Sequence, residues 1–263
     1  MCVIAISFQQ HPKFPLVIAA NRDEFFKRPT RSINWWSEDP NLLAGKDLTA
    51  NGTWAGFTRS GKFAAITNVR EGPASANSAS TSRGSLPLNY LQGELSPADY
   101  LQQLAANADQ FEGFNLFVGD SSQLFYFSNR DNQIRQLGSG LYACSNGTLD
   151  SQWPKVEQLK TELSAAILAQ EVDLQALFAA LKNHSKADRA RLPDTGVGLD
   201  WERLLSPIFI ESPAYGTRVS TVVLIDHQGR VTFVERAYAS NANGQPPVTR
   251  RFDFEIENVM EQA

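Results

Sequence analysis

The chain is short of the residues that most often announce a chemistry. It has three histidines and two cysteines in 263 residues. None of His11, His184 and His227 stands in a G-x-S-x-G or comparable context, so a serine triad lacks a recognisable base. No His/Cys group has the spacing of a metal site. There is no Walker loop and no G-x-G-x-x-G. No metal and no cofactor are expected. The two cysteines, Cys2 and Cys144, do not demand a disulfide. Low cysteine usage without a signal peptide suits a reducing compartment, so a cytoplasmic location is expected. The opening apolar run, Val3 to Phe8, is interrupted by Gln9, Gln10, His11 and Lys13, and no cation precedes it. No run approaches the ~20 apolar residues that span a bilayer, so stable membrane insertion is not expected. The formal net charge is −4 and the basic residues are scattered. That gives no footprint for nucleic acid. These absences name no partner, and the oligomeric state stays open.

What is present is an ordinary globular composition, 42% hydrophobic and 20% charged. A chain of this length can bury a sizeable core without staples. Val3 to Phe8 and Phe14 to Ala20 read as two strands around a polar hairpin loop, and both are apolar enough to be covered on two faces. Asn21-Arg22-Asp23-Glu24 follows abruptly at the end of the second. Pro29 to Pro40 reads as an irregular loop carrying Trp35 and Trp36, and Gly45 to Gly52 as a turn. Strands are expected at Thr53 to Thr58 and Phe63 to Asn68, with Ser60-Gly61 turning between them. Arg70 to Arg83 is rich in Ser, Ala, Gly and Asn and reads as a mobile loop.

Helices are expected at Leu86 to Leu91 and Pro97 to Ala108, the latter with Ser96 as N-cap. A second β block runs from Asn115 to Ser145, followed by helical patterns at Pro154 to Ala169 and Leu174 to Lys182. Lys186 to Pro207 reads as a polar loop with short helical pieces. Strands close the chain at Thr217 to Asp226, Val231 to Ala237 and Arg251 to Glu257. With strands at both ends and helices mostly between, and with no repeat or linker, the chain suits a single α+β domain over residues 1–263. Its expected form is four layers, two largely antiparallel sheets with helices outside. Periodicity alone does not choose this over other α+β layouts.

Polar residues at strand ends are where rigid sites are built. Five such places stand out: Cys2, Asn21-Arg22-Asp23, Asn68, Cys144-Ser145-Asn146-Gly147 and Arg218. Each has a purely structural reading as well. A cysteine near a terminus can be a small buried hydrophobe, Arg22 and Asp23 can form an ion pair, and Asn68 and Asn146 can cap turns. Arg218 can pair with Glu24 or Asp23, and Trp35, Trp36 and Trp54 can be packing.

The stretches MCVIAISF, AANRDEFFKRP, LLAGKDLTANGTWAGFTRSGKFAAITNVR, SNGTLDSQWPKV and YGTRVSTVVLID together resemble the NRDE family, also called the transport and Golgi organisation protein 2 family. They run in order from Met1 to Asp226. That family is in turn distantly similar to the choloylglycine hydrolase and penicillin acylase group. The resemblance implies an αββα N-terminal-nucleophile fold with a mature N-terminal cysteine.

On it, Cys2 matches the nucleophile and Arg22 the arginine beside it. Asp23 matches the aspartate that holds the amino group, although the tighter spacing lets Asn21 stand in for it. Asn68 matches an oxyanion-hole asparagine, Asn146 a second structural or oxyanion asparagine, and Arg218 an arginine of the pocket. Asn21, Trp35, Trp36 and Trp54 are the candidate substrate contacts. A free N-terminal cysteine carries its own base, an α-amino group of pKa ~7.7–8.0. Arg22 would favour the thiolate. The base exists only if Met1 is removed. The expected activity is hydrolysis of a linear C–N amide bond of a small-molecule partner through an acyl-enzyme. The alternative is a non-enzymatic carrier of a lipid or haem, in line with the family's links to lipid metabolism and haem handling. The few histidines offer no paired axial ligands for the latter.

Overall fold

The computed structural model describes residues 2–72, 81–169, 171–238 and 246–257. Its strands are β1 (Cys2–Phe8), β2 (Leu16–Phe25), β3 (Thr30–Trp35), β4 (Leu42–Asp47), β5 (Ala55–Thr58), β6 (Phe63–Asn68), β7 (Phe114–Gly119), β8 (Leu124–Ser128), β9 (Gln133–Leu137), β10 (Gly140–Cys144), β11 (Tyr215–Ile225), β12 (Arg230–Ala237) and β13 (Val248–Glu255). The helices are α1 (Ser85–Gln92), α2 (Pro97–Ala105), α3 (Pro154–Leu168), α4 (Leu174–Leu181) and α5 (Leu199–Leu204). One antiparallel sheet has the order β10-β1-β2-β11-β12-β13 and the other β3-β4-β5-β6-β7-β8-β9.

Side-chain alternation turns these sheets into four layers. In β1, Ile4, Ile6 and Phe8 enter the core between the sheets, while Val3 and Ala5 enter a second core under α3 and α4. In β2, Leu16 and Ile18 face inward and Val17 and Ala19 face the helices. Strands covered on both faces have no polar face to show, which is why both read as continuous apolar runs. On the other side α1 and α2 cover the seven-stranded sheet through Leu86, Tyr90, Leu91, Leu101 and Leu104. Ser96 caps α2 as its position predicts, accepting from the Asp99 N–H. Among the described residues no helix is long and apolar enough to cross a membrane.

Three local expectations are corrected. Pro29 to Pro40 is not wholly irregular: β3 forms the edge of the seven-stranded sheet, with a register shift between Arg31 and Asn34. Propensity misses it because an edge strand with an interrupted ladder carries little apolar alternation. Gly45 to Gly52 is not all turn, because β4 continues to Asp47. β2 continues to Phe25, so the Asn21–Glu24 stretch lies within the strand, not after it. The central part of the Arg70 to Arg83 loop, 73–80, lies outside the described residues.

Glu235 ties the two sheets together. It sits on β12 with 2% exposure, and its carboxylate accepts from the Ile33 N–H of β3 at 2.9 Å. Burial raises its pKa to about 7, against the smaller opposing effects of the Ile33 hydrogen bond and Arg250. A carboxylate raised in the folded state favours folding while protonated and loses that contribution as pH climbs from its unfolded value toward 7. Glu235→Gln keeps an acceptor for Ile33 without the charge. Denaturant unfolding is therefore expected to show wild type falling relative to Glu235→Gln by on the order of 3 kcal/mol between pH 4.5 and 7.5. Parallel curves would remove Glu235 as the cause.

Candidate active site

Register decides which candidates can meet. Cys2 is paired directly with Arg22 across β1 and β2, so both side chains stand on the face between the sheets. Asn21 and Asp23 alternate to the helix face. The alternative reading of Arg22 and Asp23 as an ion pair does not hold: Arg22 reaches Asp47 at 3.3 Å and Glu24 at 3.6 Å, while Asp23 accepts from the Thr217 hydroxyl at 2.6 Å. Thr217 is on that face because β11 carries an irregularity between Thr217 and Val219, leaving Arg218 as the extra residue. One inserted residue reverses the alternation beyond it.

The segment after β10 stitches the two sheets together beside Cys2. The Ser145 hydroxyl donates to the Cys2 carbonyl at 2.8 Å, and the Thr67 hydroxyl donates to the Ser145 carbonyl at 2.6 Å. The Asn146 amide donates to the Asn68 carbonyl at 2.8 Å, and the Arg70 N–H donates to the Asn146 carbonyl at 2.7 Å. Asn115 joins in, donating to Thr67 and to the Gly147 carbonyl. These bonds cross between the two sheets beside Cys2 and hold the end of β6, which carries Asn68, against the start of β1.

Cys2, Arg22, Asp23, Trp54 and Asn68 line a cleft of about 130 Å³, together with Glu24, Arg28, Asp47 and Arg83. Asp47 organises one wall. Its carboxylate accepts from the Thr49 and Ala50 N–H groups at 3.0 Å each and takes Arg22 and Arg28 on its other oxygen. Trp54 stacks on the Arg22 guanidinium, 4.4 Å from ring centroid to Cζ. It can lie there because residue 45 is glycine; a Cβ at Gly45 would come within 2.3 Å of the ring. Arg22 is 6% exposed, and its Nη1 has no hydrogen-bond partner among the described residues, a costly state for a buried donor unless something else supplies an acceptor.

Arg22 pulls the Cys2 thiol pKa down, as its charge predicts, but burial dominates and Asp23 adds to it, so the net shift is upward. Arg22 favours the thiolate, as expected, but does not offset burial, so the thiol needs a base. Cys144 is a core residue, its pKa pushed up to about 12 by burial.

Not every candidate reaches the cleft. Asn146 is fully buried and its amide is committed to Asn68 and Arg70. The Asn21 amide donates to the Leu181 and Ile208 carbonyls at 2.8 and 2.9 Å and accepts from Ser220 at 2.6 Å, which leaves no donor for a ligand. Arg218 pairs with neither Glu24 nor Asp23. It donates to the Phe25 and Arg28 carbonyls and to Thr30, bracing the turn after β2. Trp36 is core, its indole donating to the Ala44 carbonyl, and Trp35 packs on Phe254 under Arg59. His11 is structural as well, accepting at Nδ1 from the Lys13 and Phe14 N–H groups.

The residues that sequence reading missed lie on the helix face. Lys155, in the first turn of α3, is 2% exposed and donates to the Leu205 carbonyl at 3.1 Å. Arg70 and Glu202 form a buried ion pair there, and Glu202 also accepts from the Thr195 N–H at 2.9 Å. Burial, with the nearby Arg70 charge, lowers the Lys155 pKa to about 8; Asp23 and Cys2 act in the opposite direction. The signal in the sequence was a lysine inside the quoted SNGTLDSQWPKV stretch, but periodicity gives a helix start no reason to bury one. Below pH 8 the buried ammonium costs stability, and that cost is relieved as pH rises from 8 toward the unfolded value near 10.4. Wild type is therefore expected to gain stability relative to Lys155→Met across that window in chemical denaturation, and a constant difference would contradict it.

With this geometry in hand, the fold has clear solved counterparts. A Caenorhabditis elegans N-acylethanolamine-hydrolyzing acid amidase ortholog superposes with a TM-score of 0.51 at 10% identity, over 85% of this chain and 92% of its own. The C2A mutant of conjugated bile acid hydrolase from Clostridium perfringens superposes with a TM-score of 0.53 at 10% identity, over 97% and 92%. The architecture is thus the αββα sandwich of the N-terminal-nucleophile hydrolases.

Residues 1–240 match the profile of the Transport and Golgi organisation 2 family, and the chain belongs to that family. The Bos taurus Transport and Golgi organization protein 2 homolog is 34% identical over 90% of this chain and 93% of its own length. The Homo sapiens homolog is 30% identical over 98% and 100%.

Proposed function

We propose that the protein is a cysteine amidohydrolase that cleaves a linear C–N amide bond through a thioester at Cys2. The observation that carries this reading is the orphaned Arg22 Nη1, buried beside Cys2 in the cleft. A donor kept dry and unpaired is one that a substrate oxygen completes.

Each cleft residue then has a task. Once Met1 is removed, the Cys2 α-amine accepts the thiol proton and Sγ attacks the carbonyl carbon. Asn68 and Arg22 Nη1 donate to the oxygen as it becomes negative. Asp23, braced by Thr217, holds the amine. The proton passes from the amine to the departing nitrogen, and water then hydrolyses the thioester. Asn146 is a positioning residue, because its amide holds the Asn68 main chain. The raised Cys2 thiol suits this scheme, since proton and thiolate appear together only when a base and a substrate are in place.

The cleft is small. About 130 Å³ falls below the ~300–1,000 Å³ of drug-sized ligand sites, which weighs against a lipid or haem carrier.

The test is intact-mass and peptide mass spectrometry after exposure to p-nitrophenyl acetate. The expected result is a chain lacking Met1 with one acetyl group on Cys2. Acetylation elsewhere, or on a chain that retains Met1, would overturn the mechanism.

A further inference from the structure

Cys2 stands where two recesses meet. The outer one is the charged, open cleft described above. The inner one is a slot of about 30 Å³ between the sheets, reached past Cys2, Arg22 and Trp54. Its walls are Ile4, Ile18, Phe63, Ala65, Val223 and Phe233, all buried members of the inter-sheet core. The two recesses differ in polarity, in size and in access to solvent.

An acyl-transfer reaction distinguishes them. The amine half of the substrate must leave, and water must then reach the thioester. Both need the open cleft. The acyl half stays bonded to Sγ through both steps, so it alone can occupy a closed recess. The lining of the slot is mostly apolar: its polar side chains are Thr67, Thr221 and Asn21, whose amide is already committed, with Cys2, Arg22 and Trp54 where the slot meets the cleft. Roughly 10–15 Å³ of such space holds one water-sized group, so 30 Å³ holds two or three.

We infer that the substrates are amides of short, unbranched aliphatic acids of two to four carbons, with the acyl chain in the inter-sheet slot and a polar amine in the charged cleft. This rests on the amidohydrolase reading and adds to it the class of acyl group. Core packing sets the limit. The slot is bounded by close-packed side chains from both sheets, so a longer chain must displace them. Each methylene that fits gains about fourfold in transfer from water.

The experiment measures second-order rate constants for acylation of Met1-free protein by p-nitrophenyl acetate, propionate, butyrate, hexanoate and decanoate. Wild type is expected to rise about fourfold per methylene to butyrate and to fall at least tenfold by hexanoate. Val223→Ala lengthens the slot and is expected to move the optimum to hexanoate. Ile18→Val, a milder change, is expected to raise the hexanoate-to-butyrate ratio if Val223→Ala does not fold. Rates that climb steadily to decanoate, or variants that keep the wild-type order, overturn the slot assignment while leaving Cys2 as nucleophile. Rates unchanged by Cys2→Ala, or no acylation by any ester, overturn the amidohydrolase reading and this inference with it.

Discussion

Cys2→Ala is expected to lower the acylation rate by at least ~10⁴-fold, because it removes the sulfur proposed to form the bond. Cys2→Ser is expected to fall short of wild type by a wide margin while still forming a mapped ester on Ser at that position. Serine keeps the geometry but is the harder group to deprotonate. Neither change should alter the fold much, since the residue is half-buried at the start of β1 and its main chain is held by Ser145. A lysine inserted between Met1 and Cys2 blocks methionine removal and is expected to be as inactive as Cys2→Ala. That chain keeps the thiol but turns the amine into an amide, so it separates nucleophile from base. The base also sets the pH profile. Below the amine pKa of ~7.7–8.0, the acylation rate is expected to fall about tenfold per pH unit. A flat profile between pH 5 and 7, or full activity in the inserted chain, would exclude the amine as base.

Asn68→Ala is expected to cost ~10²–10³ in acylation rate, the usual loss for one oxyanion donor. Asn68→Asp should lose as much, since it keeps the shape and removes the N–H. Neither touches the bond from Asn146, which goes to the Asn68 main-chain carbonyl. Melting temperature should therefore hold while the rate falls. Asn146→Ala is expected to behave differently. It strips partners from the buried Asn68 carbonyl and from Arg70, at about 1–3 kcal/mol of stability, and it frees the wall that carries Asn68. Stability and rate should fall together, as measured by thermal unfolding and acylation on the same sample. If Asn68→Ala retains the wild-type rate, the oxyanion is held elsewhere.

Arg22 illustrates why the two asparagines divide this way. The family resemblance implied an oxyanion role for Asn68 and left Asn146 as oxyanion or structural, each an amide at the end of a strand. In three dimensions only Asn68 lines the cleft, and the second free donor is Arg22 Nη1. A side chain's type announces that it can donate. Whether the donor is already spent depends on neighbours far away in the chain, here Asn68 and Arg70 around Asn146.

The strands legible in advance included those buried on both faces, β1, β2, β6, β7, β8 and β11, and also the part-buried β12 and the largely exposed β13. Continuous apolar runs have a local cause and need no partner to be recognised. The layers followed from the same runs, since a strand apolar on both faces requires cover on both. The edge strand β3 was not legible, because its ladder is interrupted at Arg31 to Asn34 and its apolar pattern is broken there.

The chemical candidates divide along the same line. Cys2, Arg22, Asp23 and Asn68 could be named as candidates from residue type, from their place on or beside apolar strands and from the family resemblance. Their mutual placement could not, because it depends on pairing register, and a one-residue irregularity at Arg218 sets which face Thr217 takes. Lys155, Arg70 and Glu202 escaped notice for a similar reason. Each looks like an ordinary surface charge in sequence, and only the packing of α3 and α5 against the six-stranded sheet buries it. Local composition carries the strands, and the family resemblance the candidate Cys2; long-range packing decides which donors are already spent, the surroundings of Cys2 and the size of the slot, because those properties belong to the space between elements.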